Sequence, residues 1–571
     1  MNQEASNKYN FIKTHDSNNM DPKLLAQLKQ SIKGDVATDD ETLTKNSYDK
    51  SIFCVKPAVV VSPTTGRDVC NLVRFVAKNK KRNKDLSLTA RAAGTDMSGG
   101  DLNTSIIVDF MKYFHHKPHV TKSNQTVTVE PGVYYRDLEK ETLKHDLLYP
   151  AYPSSREICA MGGIINNNAG GEKSLEYGKA ENYVTSINMV FADGNEYTIK
   201  PLTETQLVKK MKQNNFEGQI YKKMFALIDT HYDHIKQAKP DVSKNSAGYY
   251  LWNVYDKETK LFDLTKLLVG AQGTLGLMTK AELKLVPTRK YTEMLIIHAR
   301  DYAHLADIVN VILPLKPESL ESYDNITLDL ATKYFTSFTK KMPPHTWLHT
   351  ALSFLPAFLM KITNSFPRLT IQAEFTGDSK ADIDHKVKRL KEFLEPNVKV
   401  HIARNKRAEL LYWLIRRDSF GLLSSRVKER YASPFIDDFV IKPEFLPEFL
   451  PKFQAIMRTY PTIKETFAGH IGNGNFHVIP LVDLKDPKQQ QLIPKICEEV
   501  FTLVTEYKGS TSGEHNDGWV RTPYLNLQYD KKILQLFAET KKIFDPEGIF
   551  NPHKKVNGNL DYAMKHIRTN W

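Results

Sequence analysis

His470, His477, Glu514 and His515 stand in two short, turn-rich pieces of this chain, FAGHIGNGNFHVIP and SGEHNDGWVRTPYL. On one continuous helix the first two histidines would lie about 10 Å apart along the axis, too far to share a small ion. The Gly472, Asn473, Gly474 and Asn475 between them exclude that helix. Gly and Asn tolerate positive φ, so the segment is expected to reverse as a loop between two strand-like flanks and bring the imidazoles together. Glu514, from the second piece, completes an N,N,O set. Three protein ligands leave a position open for substrate, the pattern of a catalytic site for a divalent metal of the zinc type. His515, next to Glu514, is then free to act as a base.

Other elements must position such a site, and the first half of the chain shows what they carry. The run LTARAAGTDMSGGDLNTSIIVDF contains Arg91, Gly94, Thr95, Asp96, Met97, Ser98 and Gly99 just before a strand. Such a loop offers several backbone N–H groups and hydroxyls to an anion where a Cβ would block approach, as a diphosphate requires. A second piece, YPAYPSSREICAMGGIINNNAGGEKSLEYGKAENYV, holds Gly162, Gly163, Asn168, Gly170 and Gly178, which let backbone pass close to a flat ligand. A third, GAQGTLGLMTKAELKLVP, contains Gly273. Neither G-x-G-x-x-G nor a P-loop is present. Three such loops separated by strands predict one large, extended dinucleotide, a flavin.

At 571 residues the chain exceeds one ordinary domain, and two or three are expected. Hydrophobic residues at 41% and charged residues at 25% are ordinary for a globular protein. Cys54, Cys70, Cys159 and Cys497 show no C-x-x-C spacing, which argues against an iron–sulfur cluster or disulfide framework and for a reducing compartment. The first residues, MNQEASNKYNFIK, lack an apolar signal core, so a cytoplasmic location is expected. The net charge of +13 is spread along the chain and not interleaved with aromatics, so nucleic acid is not an expected partner.

Residues 1–50 are polar and predict a weakly ordered lead or short helix. Residues 51–289 mix β-branched runs such as AVVVSP, TSIIVDF and QTVTVEPGV with a helix from Gly66 to Lys78. Residues 290–450 read as a second α+β unit through MLIIHAR, RLTIQAEFTG and KADIDHKVKRLKEFLEP, and residues 451–571 carry the metal-site motifs and a final helix. Thr346–Ile362, TWLHTALSFLPAFLMKI, is apolar but contains Pro356 and falls short of the ~20 residues of a bilayer span. It predicts either a buried core helix or a helix docking peripherally at the inner face of a membrane.

RAAGTDMSGG, then PSS…MGGIINNNAGG…YG, then GAQGTLG…LVP resemble the FAD-binding domain of the vanillyl-alcohol oxidase / p-cresol methylhydroxylase superfamily. HIGNGNFH and GEHNDGWVR resemble its D-2-hydroxyacid dehydrogenase branch, which includes D-lactate dehydrogenases, D-2-hydroxyglutarate dehydrogenases and glycolate oxidase large subunits. The resemblance implies an α+β fold, with a two-subdomain FAD-binding domain of the p-cresol methylhydroxylase type, an α+β cap domain and a C-terminal helical segment. It places the FAD diphosphate on Gly94–Gly99, and the flavin and ribityl chain along Pro153, Ser154, Ser155, Gly162, Gly163 and Asn168, with Val184 also at the cofactor. Thr95 stands where some members attach FAD to a His, implying non-covalent FAD. Gln272 replaces the Glu usual in the third loop. LLYWLIRRDSFGLL resembles the family's W-x-x-R element, which puts Arg416 on the substrate carboxylate, a task suited to a guanidinium. Ile436 and Asp437 stand where the 2-hydroxyglutarate type has a Lys before its Asp. Larger bacterial members continue into an iron–sulfur module, so electrons here are expected to pass to a quinone or a separate protein. The implied reaction is metal-assisted oxidation of a D-2-hydroxy acid to the 2-oxo acid. Two rival readings, a non-redox ether-lipid synthase type and a silent FAD-binding partner subunit, are disfavoured by residues 470–515.

Overall fold

Short apolar runs, some continuous and some alternating, make the strands of this protein, and the computed structural model arranges them in three main sheets. It describes residues 20–302, 304–333, 362–363, 366–395, 398–403, 406–426 and 430–569. In the first sheet Val59–Ser62, Ile106–Asp109 and Leu88–Arg91 run parallel, joined by the crossover helix Gly66–Lys80, with Asp35–Ala37 added antiparallel at one edge. That edge strand lies in the stretch expected to be weakly ordered. It is held because the helix Pro22–Ser31 buries Leu28 and the Asp68 carboxylate accepts the Lys33 N–H, contacts made only once distant residues arrive.

The second sheet is antiparallel, in the order His119–Thr121, Thr126–Val129, Leu277–Lys284, Val184–Val190, Glu196–Ile199. Its core takes in Ile533, Leu536 and Phe537 of the helix Lys531–Phe544, so the C-terminal part of the chain returns to the glycine-rich half. A short helix, Leu560–Lys565, follows beyond the last helix expected from sequence.

The third sheet has eight strands among the described residues, including Tyr291–Ala299, Leu369–Gly377, Ser319–Asp324, Lys464–His470 and Asn475–Val482. The helices Lys380–Leu394 and Leu446–Arg458 bury apolar faces in its core, and the 21-residue helix Lys406–Arg426 lies over the strand Ser319–Asp324. This is the mixed α+β architecture expected. The apolar segment at 346–362 lies outside the described residues except for Ile362; among the described residues no helix is long and apolar enough to cross a membrane.

Candidate active site

The two histidines are brought together by a hairpin. Lys464–His470 pairs antiparallel with Asn475–Val482, with His470 opposite Asn475 and Ala468 opposite His477. The turn depends on Gly474, whose φ is +64° and where a Cβ would sit 1.6 Å from the Ile441 carbonyl oxygen. The result is an edge-on imidazole pair with centroids 5.1 Å apart.

His470 Nε2 lies 3.1 Å and His477 Nε2 3.3 Å from the same oxygen, Oε1 of Glu514. The opposite ring nitrogens are also held by carboxylates: His470 Nδ1 is 2.6 Å from Glu321 Oε1 and His477 Nδ1 is 3.0 Å from Asp437 Oδ1. His515 Nδ1 is 2.8 Å from Asp437 Oδ2, though out of line for a hydrogen bond, and its Nε2 is 4.0 Å from Glu514 Oε1. Burial alone would raise the Glu514 carboxyl; Lys244, with Nζ 3.4 Å from Oε2, and His470 overcome it and hold the carboxyl well below the usual range. Burial likewise opposes protonation of His477, but Asp437 and Glu514 outweigh it and push the imidazole up to about 10.

These donors fit a divalent metal. Histidines whose far nitrogens are anchored by carboxylates are oriented for coordination. Asp438, His477, Glu514 and His515 can each bring one ligand atom within 4.8 Å of the others. Asp438, however, is already saturated by the N–H groups of Glu514 and His515, the Ser512 hydroxyl and the Asn475 side chain. It shapes the loop; His470, outside that group, reaches Glu514 Oε1 through Nε2.

Glu514, His477 and His515 face a cavity of about 1030 Å³ that they share with the glycine loops. Arg91, Gly94, Thr95, Asp96, Met97, Pro153, Ser154, Ser155, Gly162, Gly163, Gly170 and Gly273 line it, as do Gln272 and Arg416. A Cβ added to Gly163 would meet nothing within 4 Å, so the backbone there borders open space of the kind a flat ring needs. Ser98, Gly99, Asn168, Gly178, Val184 and His470 do not reach the wall. Ser98 is buried with its hydroxyl on Asp96, and the Asn168 side-chain oxygen accepts the Glu181 N–H. The loop expected to hold the diphosphate is clasped by a distant residue: Asn551 donates from Nδ2 to the carbonyls of Gly100 and Gln272, and its N–H reaches Leu88. Gln272 itself accepts the Gly518 N–H and donates to Ser98.

Arg416 lines the cavity with its Nε 3.1 Å from Glu321 Oε2, so one buried carboxylate holds both Arg416 and His470. Arg417 donates Nε to Glu172 at 2.8 Å, and burial of Glu172 is outweighed by Arg417 and Arg156, which bring that carboxyl down to about 2. Glu321, Lys244 and Glu172 escaped sequence reasoning. The strand SLESYD, buried along its whole length, gives Glu321 no distinguishing signal.

A family model described as "FAD binding domain" matches residues 57–200, and one described as "FAD linked oxidases, C-terminal domain" matches residues 288–555. The chain is 27% identical over 540 residues to a D-2-hydroxyglutarate dehydrogenase of Pseudomonas putida, covering 93% of this chain and 52% of that protein. It thus spans about half the length of that relative. It is 24% identical over 551 residues to a D-lactate dehydrogenase of Anaerostipes hadrus, covering 94% and 98% of the two chains. The solved 4-ethylphenol oxidase of Gulosibacter chungangensis superposes with a TM-score of 0.67 at 15% identity, over 95% of this chain and 98% of its own. p-Cresol methylhydroxylase has the same fold, with a TM-score of 0.64 at 13% identity over 94% and 96%. The chain carries the domains of FAD-linked oxidases, with the fold of 4-ethylphenol oxidase and p-cresol methylhydroxylase.

Proposed function

We propose that this protein oxidises a D-2-hydroxy acid to the 2-oxo acid and passes the electrons to a quinone or a protein acceptor. The observation that carries the reading is the convergence of His470 Nε2 and His477 Nε2 on Glu514 Oε1, at the wall of a cavity that also holds the glycine loops. The relatives named D-2-hydroxyglutarate and D-lactate dehydrogenase support the substrate class.

His470, His477 and Glu514 would hold a divalent metal, and the loops at Gly94, Ser154 and Gly163 would hold FAD without a covalent bond, since Thr95 offers no imidazole. The metal supplies a Lewis acid for the substrate hydroxyl and FAD supplies the hydride acceptor. Arg416, held in place by Glu321, binds the substrate carboxylate. His515 takes the hydroxyl proton at Nε2, while Asp437 beside Nδ1 fixes the ring and stabilises the charge it gains. Burial lowers the His515 imidazole, but Asp438 and Asp437 more than compensate and raise it.

The test is anaerobic addition of D- and L-2-hydroxy acids to the flavin-loaded protein. Bleaching of the flavin by D-acids, lost on chelation and restored by Zn²⁺, is the expected result. No bleaching by any 2-hydroxy acid refutes the reading.

A further inference from the structure

One stretch of the cavity wall runs on from His477 past the residues that the reaction just described uses. Hairpin pairing sets Ala468 opposite His477 and Thr466 opposite Ile479. Residues two apart on a strand share a face at about 7 Å. His477, Ile479, Ala468 and Thr466 therefore form one continuous patch, and all four line the cavity. The helix Lys406–Arg426 lines the same cavity with Leu410, Leu414 and Arg417, at spacings of four and three that share a helix face.

Arg417 and Arg156 on this side are already matched by Glu172 and Glu139, with Arg156 also 3.8 Å from Glu172, and Arg416, beside Glu321, is taken by the substrate's own carboxylate. A second substrate carboxylate would have to displace a buried glutamate or rest, uncompensated, against Ile479 and Leu414, and both are costly. An alkyl chain meets neither obstacle. Leu410 is 41% exposed, so the patch runs outward and leaves room for length.

We infer that the substrate's side chain lies on the Ala468–Ile479–Leu414 patch, and that the substrate class is 2-hydroxy acids with an alkyl chain longer than that of lactate, not 2-hydroxy dicarboxylates. This rests on the 2-hydroxy acid reading above. The bond cleaved is unchanged: hydride leaves Cα for FAD, the hydroxyl proton goes to His515, and the alkyl chain takes no part.

The experiment measures kcat/KM of the full flavin-loaded chain, with dichlorophenolindophenol as acceptor, for glycolate, D-lactate, D-2-hydroxybutyrate, D-2-hydroxyisocaproate and D-2-hydroxyglutarate. The expected result is a gain of about fourfold for each methylene buried, with hydroxyglutarate below hydroxybutyrate. Ile479→Lys should invert the ratio of hydroxyisocaproate to hydroxyglutarate; if that variant does not fold, the wild-type order decides alone. A flat response to chain length, or hydroxyglutarate at the top, overturns the subsite and leaves the 2-hydroxy acid reading standing. No turnover of any of the five overturns both.

Discussion

Glu514 divides its oxygens between two kinds of partner. Oε1 faces both histidine Nε2 atoms and Oε2 faces the Lys244 ammonium. A carboxylate so committed offers one oxygen, not two, to a cation, which leaves coordination room for substrate. His477→Ala should therefore lose the metal and lower turnover at least a hundredfold while flavin absorbance stays, because the glycine loops stand on other strands. His515→Ala should keep the metal and lower kcat by about 10² to 10⁴, the range for a lost general base. Metal analysis beside turnover separates the two, and metal loss in His515→Ala would refute the division of roles. Glu321→Gln weakens the anchor common to Arg416 and His470, so KM should rise and metal affinity fall together, each about tenfold or more. Movement of one without the other would show that Glu321 serves a single partner.

The hairpin Lys464–Val482 is the element that sets the imidazole spacing, and its turn is intolerant of a side chain. Gly474→Ala, with φ at +64° and a Cβ thrust at the Ile441 carbonyl, should cost about 2–4 kcal/mol, read as a lower urea midpoint with weaker metal retention. An unchanged midpoint would mean that the loop relaxes freely. This hairpin was legible in the sequence because its signals are local: apolar strands flanking Gly and Asn. The glycine loops were legible for the same reason. Glu321 and Lys244 were not, because the chain brings them to the site across separations of 149 and 270 residues, and a lone Glu in a strand or Lys in a loop looks like any surface charge. Asp437 stood in view, but its grip on two histidines appears only when Asn475–Val482 pairs with Phe439–Val440. The edge strand Asp35–Ala37 was masked by polar composition, since its stability lies in a partner rather than in its own residues.

At the scale of the molecule, the three largest hydrophobic cores among the described residues go with the three main sheets, and their stability can be read through groups remote from the cavity. His298, on Tyr291–Ala299, is brought down to about 3 by burial and by the nearby charges of His401 and Lys399. Its folded value lies below the unfolded one of about 6.5, so the unfolded chain binds the proton more readily in that window. The contribution is complete above pH 6.5 and is lost as pH falls toward 3. Between pH 7 and 4.5 the protein should lose on the order of 2 kcal/mol from this source, and His298→Phe should flatten that part of the urea-midpoint profile; an identical slope would remove His298 as the cause. Acid or heat should release the flavin into the supernatant, since Thr95 cannot link it, and colour retained in the pellet would refute that. The Asn551 clasp on Gly100 and Gln272 has a consequence in time. Translation makes the Gly94–Gly100 loop some 450 residues before the amide that clasps it, so this side of the pocket stays unclasped until Asn551 has been made. The glycine loop is thereby tied to residues made long after it, and a chain cut short of Asn551 would leave Gly94–Gly100 unlatched, a target for proteases.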